Sequence, residues 1–264
     1  MSLVCCQNER PALTPAEALL QELGITEPEE IDLEAIAYHV GTRVRFRPLC
    51  GCEAHILGCG GHAIITIKQD SSARRKRFSI AHELGHWRFH RGKTLVCRVD
   101  EYRPRDVQSP EKVADGYAAD LLMPRYLFAP RAAALDRIAF DSIGKLAEAF
   151  KASLTATAIR LVDLDQFPGF VISHTPRGRK WFARASSVPR HWYPREDLDA
   201  KTFAFGVQFG GRSEDSAPRK ISADAWFDRQ GAARFMVREQ TIRVAREETV
   251  SLVVIDDKEM LRDR

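Results

Sequence analysis

Two histidines stand four apart in His82-Glu83-Leu84-Gly85-His86, with a glutamate directly after the first. On a helix, that spacing puts both imidazoles on one face, aimed at a common point. Neutral imidazole is a good zinc ligand, and two ligands from one rigid helix lose little freedom on binding. Glu83 falls about 100° round the helix from His82. There it stands beside a bound metal, placed to take a proton from water that the metal has acidified to a pKa of about 7. Gly85 costs a helix interior roughly 1 kcal/mol against alanine. Its presence points to close approach of another backbone or of substrate. The competing reading is a histidine-rich helix that only packs, and a third ligand decides between the two.

The third ligand is expected from a carboxylate on a nearby helix, with a second acid one turn later. Glu111-Lys112-Val113-Ala114-Asp115 fits, 24 residues after His86. Glu111 would bind the metal, and Asp115 would accept the free ring N–H of one histidine and fix its tautomer. Asp120 is a rival third ligand on a different part of the same helix. His90 is another turn along from His86. It is out of place for the third histidine of H-E-x-x-H-x-x-G-x-x-H, so it reads as a partner behind the ligands or as a charge at the helix C-terminus. Arg74, Arg75, Lys76 and Arg77 read as a solvated face, with contact to an acidic substrate as the alternative.

The elements that must position these residues carry their own signals. Asp70-Ser71-Ser72 can cap a long helix running through the motif to His90, with Gly92 behind it. Ser109-Pro110-Glu111 caps a second helix, apolar on Val113, Ala114, Tyr117, Ala118, Leu121 and Leu122, which stops at Met123-Pro124. Thr14-Pro15-Ala16-Glu17 is a capping box closed by Gly24, and Asp32 opens a helix that stops at Gly41. TRVRFRPL and the segments near EAHIL and HAIITI alternate as strands. The polar stretch VDEYRPRDVQ links the two site helices. Residues 130–165 read as helical, with two helices about a short turn between Asp141 and Leu164. After Phe167-Pro168-Gly169 the texture changes: FAFGVQF, FMVREQTIRV and TVSLVVI read as strands, and GGRSEDSAPRK as a loop.

The 264 residues suffice for more than one domain, and 44% hydrophobic with 29% charged residues describes an ordinary soluble protein. A net charge of +4 is too small to argue for nucleic acid. No apolar run has the length of a membrane span, and the start of the chain lacks the regions of a secretory signal, so a cytoplasmic protein is expected. Six cysteines (Cys5, Cys6, Cys50, Cys52, Cys59 and Cys97) then read as free thiols. A zinc or redox site at Cys50-Gly51-Cys52, His55 and Cys59 is the weaker alternative, because no second pair stands at ligand spacing.

RKRFSIAHELGHWRFH followed by EKVADGYAADLLMP resembles the ImmA/IrrE family of zinc metallopeptidases, and IDLEAIAYHVGTRVRFRPL and GHAIITI fit the N-terminal part of that family. The resemblance covers roughly residues 30–165, and the C-terminal part looks like the IrrE branch of radiation-response regulators. It implies an α+β architecture in three parts: a thermolysin-like (gluzincin) peptidase domain over 1–128, a small helix-turn-helix-like helical domain over 129–167, and a GAF-like α/β sensor domain over 168–264. His82 and His86 match the family's histidine ligands, Glu83 its general base, and Glu111 its third ligand. Val113 stands where many members carry a second glutamate, which strengthens Glu111. The family's substrates are Cro/CI-type helix-turn-helix repressors, so cleavage with zinc, or manganese in the cell, would de-repress DNA-damage genes. Arg125 and Tyr126 are candidates for stabilising the transition state.

The helix-turn-helix-like segment is a poor DNA reader. Its second helix opens LTATAIR, with no Arg, Asn or Gln in the first turn for bidentate base contacts, although Lys145 and Arg160 could touch phosphate. Packing or substrate docking fits it better. Trp181, Trp192 and Trp226 read as core. A small-molecule or signal ligand at the C-terminal domain is implied by the resemblance alone. The opposing functional readings are a DNA-binding regulator with a structural metal, and a signal-binding module on a degenerate peptidase.

Overall fold

The computed structural model describes residues 12–91, 96–97, 109–211 and 217–262. Gly92, the whole of VDEYRPRDVQ, Cys5, Cys6, the side chain of Cys97 and the middle of the GGRSEDSAPRK segment lie outside them. The chain divides into two compact units between Pro124 and Arg125.

In the first unit, α1 (Pro15–Glu22) has the expected capping box, with Thr14 Oγ1 accepting from Glu17 N–H and Glu17 from Thr14 N–H. The Asp32 side chain caps α2 (Leu33–His39) through the N–H groups of Glu34 and Ala35. Gly41 turns the chain out of α2 with φ +81°, a left-handed conformation that favours glycine. Three strands follow: β1 (Thr42–Arg47), β2 (Ala54–Cys59) and β3 (His62–Lys68). β3 pairs parallel with β1 and antiparallel with β2, and β4 (Val96–Cys97) extends the far side of β2, giving the order β1-β3-β2-β4. Ile56, Ile65 and Ile67 turn into the core, as the alternation of these strands requires.

α3 (Ala73–Phe89) starts at Ser72, whose hydroxyl accepts from Arg75 N–H, and packs on β2, β3 and α4 (Pro110–Leu122). Trp87 anchors it: its indole donates to Val40 C=O at 2.8 Å. Every residue from Ser79 to Trp87 is buried. A stretch this polar tolerates burial only when its polar atoms have work or partners inside.

The second unit begins with α5 (Arg125–Ala133), which starts five residues ahead of the expected helical stretch, and continues with α6 (Phe140–Ala149) and α7 (Leu154–Asp163). Its five-stranded sheet is antiparallel, in the order β6-β5-β9-β8-β7. Its strands are β5 (Gly169–Thr175), β6 (Gly178–Arg184), β7 (Arg219–Ser222), β8 (Met236–Ala245) and β9 (Glu248–Val254), and a short helix α9 (Lys258–Arg262) follows. The hairpin β5–β6 carries no expectation from the sequence analysis, though FVISH followed by Pro176-Arg177-Gly178 is a readable strand and turn. FAFGVQF is a helix, α8 (Phe203–Phe209), where a strand was expected. Thr202 caps it, and the buried positions Phe203, Ala204, Gly206 and Val207 follow helical spacing. A seven-residue apolar segment satisfies both periods, and the cap decides. Trp192 and Trp226 are fully buried with Phe170 and Phe227, whereas Trp181 is half-buried. Among the described residues, no helix is long and apolar enough to cross a membrane.

Candidate metal centre

The site grows out of two helix caps. Ser72 starts α3 so that His82 and His86 share a face, and Ser109 with Pro110 starts α4 so that Glu111 sits in its first turn. The exposed N–H groups of that turn favour a carboxylate. The helices touch at Gly85: a Cβ there would lie 2.8 Å from Ala114 Cα and 3.0 Å from its carbonyl oxygen. Of the two reasons offered for this glycine, approach of another backbone is the one found.

This contact brings Glu111 onto the histidine pair. His82 Nε2 lies 3.1 Å from His86 Nε2 and 3.1 Å from Glu111 Oε2, and His86 Nε2 lies 3.4 Å from Glu111 Oε1. Tetrahedral zinc with bonds of about 2.0–2.1 Å spaces its ligand atoms roughly 3.3–3.4 Å apart. Two ring nitrogens and a carboxylate crowd one point to that spacing, an arrangement favourable only around a proton or a cation. The His82 imidazole, and after it that of His86, holds the Glu111 carboxyl well below the usual carboxylate range. Glu111 is therefore ionised at neutral pH. Its side chain remains 43% exposed while that of His86 is 1% exposed, so the carboxylate side of the cluster is the one open to solvent. The donor set fits a metal ion.

The surrounding residues fall as follows. Asp115 Oδ1 lies 2.8 Å from His82 Nδ1, within hydrogen-bond distance. Glu83, next to His82, is fully buried. Asp120 is not one of the residues gathered at the point. The basic run has local partners: Arg75 pairs with Glu53 at 3.7 Å, Lys76 lies over the Phe46 ring, and Arg77 donates to Ile31 C=O. Cys50, Cys52 and Cys59 are free thiols outside the gathered group. Arg125 and Tyr126 open α5 in the second unit. Arg160 is buried, 7% exposed, which removes it as a candidate phosphate contact, while Lys145 is exposed.

Known proteins show similarity to the part of the chain that holds this site. Residues 34–162 match the peptidase M78 family, described as the IrrE N-terminal-like domain. Over that span the chain is similar to an IrrE N-terminal-like domain. Both site helices fall within its span, so His82, His86 and Glu111 all belong to it. A solved Mycobacterium tuberculosis transcriptional regulator is similar over 91% of this chain and 74% of its own length, with a TM-score of 0.60 and 14% identity. At that identity the likeness is one of fold. The comparison with curated proteins yields no match. Together, the peptidase M78 match and the His-His-Glu geometry point to a metallopeptidase.

Two residues of the second unit escaped sequence reasoning. Glu239, 1% exposed, accepts from Ala204 N–H, Trp226 Nε1 and Thr241 Oγ1 at 2.7–3.3 Å, and burial raises its pKa. His174, also 1% exposed, is pushed down to about 4 by burial. Glu239 sits in β8, read from the sequence only as a strand, and His174 in β5, which carried no expectation; both are buried in the central strands of the sheet.

Proposed function

We propose that the chain is a zinc-dependent endopeptidase that cleaves a Cro/CI-type helix-turn-helix repressor, de-repressing genes of the DNA-damage response in the cytoplasm. The observation that carries the reading is the convergence of His82, His86 and Glu111 on one point, with a glutamate, Glu83, next to the first ligand. A purely structural zinc site closes its coordination sphere with four protein ligands, whereas three ligands leave a position for chemistry.

His82, His86 and Glu111 would hold the metal, zinc or manganese. When bound, the ion polarises the scissile carbonyl and makes water easier to deprotonate. Glu83 takes the proton from the attacking water onto its carboxylate and delivers it to the leaving amine, so the same group serves as base and then as acid. Burial of Glu83 would strengthen its electrostatic interaction with a metal ion held by the neighbouring His82. Asp115 accepts the Nδ1–H of His82 and thereby leaves the Nε2 lone pair to bind the metal.

The helices α6 and α7 serve in packing or substrate docking and do not read DNA. Residues 168–264 regulate the enzyme as a GAF-like sensor for a signal or small-molecule ligand, a reading supported by their five-stranded antiparallel sheet.

The test incubates the purified chain with a panel of helix-turn-helix repressors, with and without metal, and identifies fragments by mass spectrometry. Metal-dependent cleavage at a defined bond in one repressor is expected. Metal-loaded protein that cuts none of them while binding operator DNA directly would replace this reading with that of a DNA-binding regulator.

A further inference from the structure

The two histidines of the site are not supported alike. His82 turns its Nδ1 to a carboxylate, Asp115. His86 turns its Nδ1 to the Nδ1 of His90, at 3.1 Å. His90 is the C-cap of α3, and its backbone N–H donates to the His86 carbonyl at 2.8 Å, so it is tied to that turn from the main chain. Side chains lean toward the N-terminus of a helix, which lays the His90 ring against that of His86, with centroids 5.2 Å apart.

Two Nδ1 atoms at this distance share one proton. A neutral imidazole carries its proton on one nitrogen and a lone pair on the other. If His90 donated, the His86 proton would sit on Nε2, pointing at His82 and Glu111, and His86 could not act as a ligand. If His86 donates from Nδ1, its Nε2 lone pair faces the shared point, and His90 carries its own proton on Nε2.

We propose that His90 is a positioning residue: its Nδ1 accepts the Nδ1–H of His86 and holds His86 in the ligating tautomer, the part Asp115 plays for His82. The proposal rests on the metal reading of the site. The two ligands are then unequally backed, one by an anion and one by a neutral ring, and hydrogen bonds to charged acceptors are the stronger kind. Removing His90 therefore weakens metal binding less than removing Asp115.

The test measures zinc affinity of the full chain by competition with a chromophoric chelator, and the visible absorption of the cobalt-substituted protein. It compares wild type with Glu111→Ala, Asp115→Ala, His90→Phe, His90→Ala and His90→Asn. Asparagine puts its Oδ1 near the place of the lost Nδ1, whereas phenylalanine keeps the ring without an acceptor. Loss of an outer partner typically lowers affinity ten- to hundredfold. His90→Phe and His90→Ala should fall toward the lower end of that range with an altered cobalt spectrum, Asp115→Ala further, and His90→Asn should recover most of the loss. Wild-type affinity and spectrum in His90→Phe, with binding lost in Glu111→Ala, would overturn the role of His90 and leave the metal site standing. Equal losses in His90→Phe and His90→Asn would assign His90 to packing of the helix end and overturn the proposal. Zinc affinity in Glu111→Ala equal to wild type would bring down the ligand set itself, and the role of His90 with it.

Discussion

Each unit has a glutamate sealed almost completely from solvent, Glu83 in the first and Glu239 in the second, and their surroundings differ. Glu239 is surrounded by donors with structural duties: the first N–H groups of α8, an indole and a threonine hydroxyl. It ties a helix to a sheet. Glu83 is buried and stands next in sequence to His82, one of the three side chains that converge on a single point. The pair shows that burial of a charged group does not by itself mark a site. Convergence of several lone pairs on one point, with one of them open to solvent, does.

The largest expected effect separates the two glutamates by chemistry. Glu83→Gln keeps size and helix propensity and removes the proton acceptor. Repressor cleavage should fall by a factor on the order of 10² to 10⁴, the usual worth of a positioned base. Metal affinity and thermal stability should hold, as chelator competition and a melting curve would show. A variant that cleaves at the wild-type rate would place Glu83 with Glu239 among structural acids.

Glu239→Ala should do the reverse. It removes the acceptor shared by the first N–H groups of α8 and the Trp226 indole, at a cost of about 1–3 kcal/mol in stability, read from urea unfolding, without changing zinc affinity. A loss of zinc binding instead would join the two regions and dissolve the contrast.

Much of the first unit was legible because its signals are local. The caps at Thr14, Asp32, Ser72 and Ser109 act within a single turn, and the four-residue spacing of His82 and His86 needs only a helix. Glu111 was legible through its own cap and the acid four residues on. The contact that joins the two helices was legible only as a question: Gly85 implied a close neighbour, and Ala114 became its identity once α3 met α4. In the second unit the decisive facts are long-range. The seven residues of α8 fit either period, and Glu239 reaches their N–H groups from a strand 35 positions away. Arg160 looked like a surface cation, yet α7 buries its face.

The helix contact offers a third, smaller effect. Gly85→Ala gains helix propensity of roughly 1 kcal/mol, but the new Cβ meets backbone atoms that cannot rotate away. Overpacking of this kind costs about 1–3 kcal/mol. Net destabilisation with weaker zinc binding is expected, since the strain separates Glu111 from the histidines. Full zinc affinity in a destabilised variant would show that the site tolerates a shift of α4.

The smallest effect concerns His174. Its ring is buried and held neutral, with its pKa below the ordinary 6.5 at about 4. Desolvation lowers it, the nearby Arg195 backbone partly opposes this, and the Arg179 charge adds to the lowering. The unfolded chain binds the proton more readily than the folded one between these values. The contribution to stability is therefore complete above about pH 6.5 and lost as the pH falls toward about 4. His174→Phe should flatten this part of the stability profile, measured by urea unfolding at several pH values. An unchanged slope would show that other groups carry it.

The most direct test of the central claim is native mass spectrometry of the full chain with excess zinc, for wild type, Glu111→Ala and Glu83→Gln side by side. Wild type and Glu83→Gln should each retain a single zinc ion, and Glu111→Ala should lose it. Zinc retained by Glu111→Ala, or lost from Glu83→Gln, would contradict the division into three ligands and a base on which the account stands.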